Sequence, residues 1–359
     1  MRLKPDEADI IKNYRRIKIE AEAEGVDPAT VTHGWIKNKN ASLFFKTPVG
    51  AQSDKILEAF DDLCGKHTSK KQKFKPEKIK HVRAIKATCT DDHIGLDVNA
   101  EGTSIFNYDY SPEIYRDSFN KFTNSIYEKF DLYGRFDLCF IDNLGDQQDG
   151  LNGQTTRGGH NLPQNANAEE VFHACVDTKV ELIDNLISDG IANKFAVRSI
   201  VNDNHSGDFG LLINLAIKKI IELKYNQDLV EIDILKRFLE YRTYGTHCFI
   251  LTHGKDKGKR KFGFPKILNK QSIEIIEDYI GHHNLSSYSC HLEKGDLHVS
   301  AYERNVRFDY RNYMAFSPPS EWIQHNYGDN YAGYAIQVID KNVMKIEHTE
   351  YDLNYRVRR

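Results

Sequence analysis

Short apolar runs alternate with amphipathic segments along most of the chain. Runs such as residues 136–141 and 195–200 have the length of buried strands, and each leads into a polar break. Between the runs, residues 115–130 and 168–190 carry apolar side chains every three or four positions, which is typical of helices that bury one face. Strands that alternate with helices predict an α/β domain, and alternation around residues 340–342 predicts a closing β-hairpin.

The first 65 residues have a different pattern. Apolar residues at helical spacing around Ile10 and Ile56, with Ser53 or Asp54 as a helix cap, predict a small helical unit. Such a unit fits either a relative of the helix-turn-helix motif or a plain docking module, and the sequence leaves both open. We therefore predict a helical N-terminal module with a basic linker over residues 1–80, followed by one domain over residues 81–359.

Composition places the chain among soluble globular proteins. It has 359 residues, of which 40% are hydrophobic and 28% are charged. No apolar run approaches the roughly 20 residues that span a bilayer, and the first residues lack the apolar core of a secretory signal. The 6 cysteines are scattered without a CxxC pair, which is typical of reduced thiols. We predict a cytoplasmic protein, in the host cytoplasm if a phage encodes it, with no membrane partner.

Five apolar runs each lead into residue types that bind divalent metal ions. Carboxylates, imidazoles and amide oxygens suit such ions, and strand ends are where α/β domains collect their functional groups. Taken singly, each segment is more often a structural turn, but five of them in order are hard to obtain by chance. The segments are residues 90–95, 145–150, 202–206, 251–254 and 295–298.

The order of these segments resembles the motif series DxH, GDxxD, GNH(D/E), a single His and GHxH of the calcineurin-like metallophosphoesterase superfamily. The resemblance covers residues 83–345 and implies a four-layer α/β/β/α sandwich. Two motifs depart from the series: Asp203 and Ser206 replace the Gly and the acid of the third, and Asp296 replaces the first His of the fifth. Within the superfamily, "DDHIG" and the loop "LNGQTTRGGHNLPQN" are most similar to SbcD-type exonucleases and phage-encoded metallophosphoesterases.

The resemblance also implies a centre of two divalent ions, with Mn²⁺ preferred and Mg²⁺ as the alternative, for in-line attack on phosphorus. Asp146 would bridge the two ions. The other ligands would be Asp91, His93 and His298 for one ion, and Asn204, His253 and Asp296 for the second. His205 would protonate the leaving oxygen or steady the phosphate. Asp92 and Asp149 would orient the ligands from behind.

Basic residues near two of the motifs indicate a polyanionic substrate. The segment Lys66–Lys86 holds nine Lys and Arg residues and one acid, although such a run is also typical of a solvated linker. Arg157 lies in the glycine-rich loop after the second motif. The loop after His253 alternates basic and aromatic residues, which suits phosphate pairing and base stacking. The contacts predicted from that loop are Lys255, Lys259 and Arg260.

These observations predict a metal-dependent phosphodiesterase that acts on nucleic acid as a nuclease, on DNA more than RNA. One alternative is a phosphoesterase for a nucleotide or another small phosphorylated substrate, which a pocket closed by residues 151–165 would favour. The other alternative is a binding protein with a degenerate metal site. In each case the N-terminal helices could recruit a protein partner or a second copy of the chain.

Overall fold

The computed structural model describes residues 76–99, 101–102, 104–151, 153–256 and 263–357, together with two short strands and three single positions before them. The chain divides into two compact units, Met1–Lys66 and His67–Arg359. In the first unit, β1 (Gly34–Lys37) and β2 (Ser42–Phe45) form an antiparallel pair that the sequence pattern did not predict. Positions 58, 62 and 65 are helical, and the other helices predicted in this unit lie outside the described residues.

Six strands form the larger sheet: β3 (Arg83–Cys89), β4 (Leu138–Asn143), β5 (Phe195–Ile200), β6 (Val230–Leu235), β12 (Ala332–Asp340) and β13 (Ile346–Leu353). Their order is β13-β12-β3-β4-β5-β6. β3 to β6 are parallel, whereas β12 and β13 form the predicted closing hairpin. The carboxyl ends of β3, β4 and β5 therefore meet at one edge of the sheet.

Five strands form the smaller sheet: β7 (Glu240–Tyr244), β8 (His247–Leu251), β9 (Ser289–Lys294), β10 (Ala301–Arg304) and β11 (Phe308–Asn312). Their order is β10-β11-β9-β8-β7. β8 and β9 are parallel, so that Leu251 pairs with Glu293 near the ends of both strands. The fourth and fifth predicted metal segments follow these two strands.

The helices described in the second unit begin where a short polar side chain caps them, except for the helix that starts at Gly207. These helices are α1 (Pro112–Tyr133), α2 (Ala168–Ser188), α3 (Gly207–Lys224), α4 (Lys270–His282) and α5 (Glu321–Tyr327). Asn167 and Glu170 form a capping box at the start of α2, and Asn269 caps α4 by accepting from the N–H of Ser272. At the other end, α1 stops at Gly134, which has a φ of 72°.

The two sheets face each other across a shared apolar core, with helices on the outside. Phe140 of the larger sheet packs in this core with Phe249 and Leu251 of the smaller one. α1 contacts β3 and β12, and α3 contacts β6, whereas α4 covers the smaller sheet through Ile276 and Ile280. The predicted four-layer α/β/β/α architecture is confirmed. Among the described residues, no helix has the length and apolar character needed to cross a membrane.

Candidate metal centre

The five predicted segments follow the carboxyl ends of five strands. Asp91 and His93 come after β3, Asp146 after β4, Asn204 after β5, His253 after β8, and Asp296 and His298 after β9. Backbone hydrogen bonds join the first two segments, since the N–H of Asp91 donates to the carbonyl of Gly145 at 3.0 Å and that of His93 to Asp146 at 3.1 Å. The loops at these strand ends are thus held together by their own main chains.

Most predicted ligands adopt a backbone conformation that side chains rarely tolerate. The φ angles are 54° at Asp91, 43° at His93, 48° at Asp146, 72° at Asp296 and 53° at His298. In the described part of the chain, the other non-glycine residues with positive φ are Asn107 and Asn284. Left-handed conformations cost about 1–3 kcal/mol each, and they persist mainly where the surrounding structure of a functional site imposes them.

Two glycines allow the ligand-bearing loops to approach closely. Gly145 has a φ of 107°, and a Cβ there would lie 2.7 Å from Nδ1 of His253. A Cβ at Gly295 would lie 2.5 Å from Oδ2 of Asp91. Because both distances are shorter than van der Waals contact, any larger residue at these positions would push the ligands apart.

Ligand atoms from different strands lie close enough to share metal positions. Three groups have ligand atoms that all lie within 4.8 Å of one another: Asp91, His93 and His298; Asp91, Asp146 and His253; and His93, Asp146 and His205. His253 Nε2 is 3.0 Å from Asp146 Oδ2, and His298 Nε2 is 3.1 Å from Asp91 Oδ1. Ions with ligand distances of about 2.0–2.5 Å fit between atoms at this spacing.

Several of these ligand atoms are buried without a hydrogen-bond partner, which is the state expected of atoms that bind a cation. They are Oδ1 of Asp91, Nδ1 of His93, Oδ1 of Asn204 and Nε2 of His253. The other ring nitrogen of His253, Nδ1, contacts the carbonyl of Leu144 at 2.9 Å. That contact fixes Nδ1 as a donor and leaves Nε2 on the side of the carboxylates. The residues present therefore fit a divalent metal ion.

The electrostatics of the centre favour positive charge. Burial disfavours ionisation of Asp146, but His253 and His205 outweigh it and lower the pKa of Asp146 to about 2. Burial likewise opposes protonation of His253, yet Asp146 and Asp91 raise its pKa to about 10. The same competition, decided chiefly by His298, holds the pKa of Asp91 well below its usual range. Clustered carboxylates that stay ionised in a buried site attract a cation.

His205 and Asp149 form a pair beside the candidate ligands. Nδ1 of His205 lies 2.6 Å from Oδ1 of Asp149, which leaves Nε2 on the side of Asp146, 3.8 Å from its Oδ2. Burial opposes protonation of His205, but Asp146 and Asp149 raise its pKa to about 9. The same Asp149 oxygen is 3.6 Å from Nδ1 of His93. Asp149 thus lies next to two of the predicted site residues, His205 and His93.

Two further carboxylates near the ligands have structural contacts. Asp203 accepts hydrogen bonds from the N–H groups of Asp146 at 3.0 Å and Ser206 at 2.8 Å, and so joins the second and third segments. The motif series gave Asp203 no role, although an Asp three positions before Ser206 is a common turn signal. Asp92, predicted to orient a ligand, accepts from Nδ2 of Asn143 at 2.9 Å, and burial raises its pKa to about 7. Its orienting role stays a prediction.

Asp296 is placed differently from the other predicted ligands. Among the described acidic and histidine side chains, it belongs to none of the three groups with ligand atoms within 4.8 Å. Its N–H donates to Oδ2 of Asp91 at 3.1 Å, whereas its own Oδ1 is 3.9 Å from Nζ of Lys255. Behind it, the ammonium of the fully buried Lys294 donates to the carbonyl of Gly295 at 2.6 Å, and burial lowers its pKa to about 8.

The predicted substrate contacts are only partly within the described residues. Arg157 donates from its main chain to the carbonyl of Asn204 at 3.0 Å and from Nη1 to the carbonyl of Asp256 at 3.1 Å. Its side chain thus joins the loops after the second and fourth segments. Lys255 is about one third exposed, at 35% of its side-chain surface. Lys259 and Arg260 lie outside the described residues.

The described part of the basic segment Lys66–Lys86 lies before β3 and in the first half of that strand. Residues 66–75 lie outside the described residues, and the exposed Lys78 and Lys80 precede β3, whereas Asp91 follows its far end. A strand of seven residues is roughly 20 Å long. Lys86 is fully buried between the sheets, because the carboxylates of Glu293 and Asp142 pair with its ammonium. Lys86 therefore lies in the core, and polyanion binding by the rest of the segment stays a prediction.

Comparison with known proteins gives distant structural similarity. No family model and no curated protein matches the chain. A predicted phosphoesterase from Streptococcus pneumoniae is 13% identical, over 76% of this chain and 99% of that one, with a TM-score of 0.29. An archaeal phosphodiesterase is 11% identical over 75% of this chain and 99% of its own, with a TM-score of 0.34. Vps29 from Entamoeba histolytica, complexed with zinc, is 12% identical over 75% of this chain and 99% of its own, with a TM-score of 0.31.

Similarity at this distance assigns neither an activity nor a substrate. The three proteins named here include a phosphoesterase and a phosphodiesterase by description, but not an SbcD-type exonuclease. The narrower resemblance to SbcD-type and phage-encoded proteins stays a prediction. The functional conclusion therefore depends on the geometry of the metal centre itself.

Proposed function

We propose that this chain is a metal-dependent phosphodiesterase of the calcineurin-like metallophosphoesterase superfamily and that it hydrolyses phosphodiester bonds in nucleic acid. The observation that carries the proposal is the convergence of Asp91, Asp146 and His253, from three different strands, onto ligand atoms within 4.8 Å of one another. Shared carboxylates with imidazoles at this spacing are the ligand set that a two-metal phosphoesterase needs.

The side chains would divide between two metal positions that share Asp146. The first position would use Asp91, His93 and His298, and the second would use Asn204 and His253. Hard oxygen ligands and imidazoles together suit Mn²⁺, with Mg²⁺ as the alternative. When bound, the ions would act as Lewis acids that neutralise charge on the phosphoryl oxygens and make water a competent nucleophile.

His205 would supply the proton for the leaving oxygen. Its contact with Asp149, 2.6 Å from Nδ1, holds the ring so that Nε2 faces the centre. In the metal-free protein, the two neighbouring carboxylates outweigh burial and raise the pKa of His205 to about 9. A positioned and protonated imidazole is the usual general acid for an oxygen leaving group.

Charge at the loop after β8 supports nucleic acid as the substrate. Lys255 presents a partly exposed ammonium next to Asp296, and Lys259 and Arg260 continue the same basic loop in the sequence. Phosphate groups on either side of a scissile bond would pair with such residues. The described part of the N-terminal basic segment adds nothing here, because it lies at the other end of β3.

The glycine-rich loop supports a second candidate, a phosphoesterase for a nucleotide or another small phosphorylated substrate. Thr156 donates through its N–H and its hydroxyl to the carbonyl of His205, at 3.3 and 2.9 Å. Arg157 adds the hydrogen bond to the carbonyl of Asn204. These hydrogen bonds hold the loop against the third segment, so that the loop restricts access to the candidate ligands from that side. Restricted access suits a small substrate better than a long strand of nucleic acid.

One experiment separates these functions. Metal-free protein and protein supplied with Mn²⁺ or Mg²⁺ are incubated with bis-p-nitrophenyl phosphate, single-stranded DNA, duplex DNA, RNA and nucleotides. We expect Mn²⁺-dependent cleavage of the DNA substrates and of bis-p-nitrophenyl phosphate, and none by an Asp146→Asn control. Cleavage of nucleotides without cleavage of any nucleic acid would establish the second candidate. A protein that binds no metal and cleaves nothing would be the binding protein with a degenerate site.

A further inference from the structure

The two metal positions have different protein surroundings, and Asp296 causes the difference. In the motif series that the chain resembles, this place belongs to a histidine of the second position. Here the Asp296 carboxylate is directed to the loop after β8: Oδ1 is 3.9 Å from Lys255 Nζ, and Oδ2 would lie 3.4 Å from a Cβ at Gly263. Its backbone N–H contacts Asp91, but its carboxylate joins none of the groups of ligand atoms formed by described residues.

Positive charge surrounds this part of the centre. Lys255 approaches Asp296 from the loop after His253, and the buried Lys294 precedes Gly295 directly in the chain. The Lys294 ammonium lies beside that same loop, since a Cβ at Gly254 would be 2.9 Å from its Nζ. Two ammonium groups next to one carboxylate oppose the binding of a divalent cation there, because like charges repel strongly where water is excluded.

The first position has no such disadvantage. Asp91, His93 and His298 form one of the compact groups, and Asp146 joins His93 in another. That position therefore has two carboxylates and two imidazoles within reach. The second position shares Asp146, has Asp91 within reach through the group that contains His253, and adds Asn204. The two nearby ammonium groups, and a carboxylate of Asp296 directed away from the ligand atoms, make the second position the weaker one.

We infer that the centre is asymmetric, with one ion bound tightly at the first position and a second bound weakly, because Asp296 pairs with Lys255 instead of serving as a ligand. This inference rests on the metal-dependent function proposed above. Its consequence is regulatory: the protein holds one ion at rest, and hydrolysis rises with the free metal concentration over the range in which the second position fills.

The test is a titration of metal-stripped protein with Mn²⁺, in which the free ion is followed by electron paramagnetic resonance. We expect wild-type protein to bind one ion at least about 10-fold more tightly than the second, and to keep about one ion through desalting. Lys255→Met should tighten the second site about 10-fold or more, since it releases the Asp296 carboxylate. Lys255→Met/Asp296→Ala should lose that gain, and Lys266→Met, at an exposed lysine of the same loop region, should change nothing.

Asp296→His offers an independent variant if Lys255→Met fails to fold, as judged by circular dichroism. An imidazole is not attracted by Lys255, so this variant should also bind two ions tightly. Equal affinity of the two ions in the wild-type protein would overturn the asymmetry, and a double variant as tight as Lys255→Met would exclude Asp296 as its cause. In either case Mn²⁺-dependent hydrolysis could remain, so the proposed function would survive. If the protein bound no ion at all, both the asymmetry and the proposed metal-dependent function would be wrong.

Discussion

This protein has two clusters of buried charged side chains, which differ in how their polar atoms are paired and in the backbone that carries them. The inter-sheet cluster consists of Lys86, Asp142, Arg198 and Glu293, all at most 1% exposed. Lys86 Nζ is 2.5 Å from Glu293 Oε2, and Arg198 donates to both carboxylate oxygens of Asp142, at 2.6 and 2.5 Å. The two positive and two negative charges balance, and all four residues lie on regular strands of the two sheets.

The strand-end cluster of Asp91, Asp146, His253 and the other candidate ligands lies on loops instead of regular strands. Its carboxylates crowd together, several of its ligand atoms have no hydrogen-bond partner, and its acids and histidines include five residues in left-handed backbone. Buried charge is costly unless it is paired. A neutral cluster of ion pairs on regular strands therefore indicates a structural role, whereas crowded carboxylates with unpartnered ligand atoms on strained loops indicate a ligand that completes them.

Asp146→Asn should have the largest effect on activity. The substitution removes the only charge that both metal positions would share, so we expect loss of detectable hydrolysis of bis-p-nitrophenyl phosphate, a fall of at least about 10⁴-fold, and loss of bound Mn²⁺. Rate and metal content are measured on the same preparation. If the variant retained metal and activity, the strand-end cluster would be structural like the other one, and the comparison would fail.

His205→Ala should show whether His205 acts as a general acid or as a metal ligand in the strand-end cluster. We expect the rate to fall by about 10²–10⁴-fold, the usual contribution of a general acid, with Mn²⁺ content nearly unchanged. His205 is also placed to be a ligand, because its ligand atom lies within 4.8 Å of those of His93 and Asp146. Loss of metal together with activity would make His205 a ligand and would leave the proton donor unassigned.

Lys86→Met should affect stability and leave the metal centre intact. The change leaves the Glu293 carboxylate buried without its ammonium partner, and breaking a buried ion pair in this way costs about 3–5 kcal/mol. Urea unfolding should show that loss, while Mn²⁺ content per folded molecule stays the same. Lys80→Met, an exposed lysine of the same basic segment, serves as the matched control and should change the free energy of unfolding by less than about 0.5 kcal/mol. Metal loss in Lys86→Met would show that the two clusters are coupled.

The smallest effect should come from replacing the partly exposed Lys255, which follows β8, or the exposed Lys78 and Lys80, which precede β3. At saturating Mn²⁺, Lys255→Ala should reduce the slope of log affinity for single-stranded DNA against log salt by about 1, the value for one lost phosphate contact. Lys78→Ala/Lys80→Ala should leave the slope unchanged, because these residues lie at the end of the strand away from the centre. A reduced slope in the double variant and not in Lys255→Ala would place the polyanion at the opposite edge of the sheet.

Part of the architecture was predictable because its causes are local. Apolar runs of strand length, amphipathic helical segments and polar breaks follow from neighbouring residues, and they predicted an α/β domain. The layered sandwich that the structure confirms was implied by the resemblance of the motif series. The convergence at one edge was also predictable, since parallel strands place their carboxyl ends together. Asp91, Asp146 and His253 could thus be selected as candidate ligands without knowledge of any contact between them.

Other features depend on contacts between residues far apart in the chain. Lys86 reads as part of a basic surface segment until Glu293, 207 positions away, pairs with it inside the core. Asp203 reads as a departure from a motif until its carboxylate accepts from the N–H of Asp146.

The residue types and their order along the chain therefore determined where a metal centre could form. Only the tertiary structure decided which of those side chains face it, as Asp296 shows by turning to Lys255. The physical reason is that the direction and charge state of a buried polar group are set by whichever partners satisfy it, and those partners come from other strands.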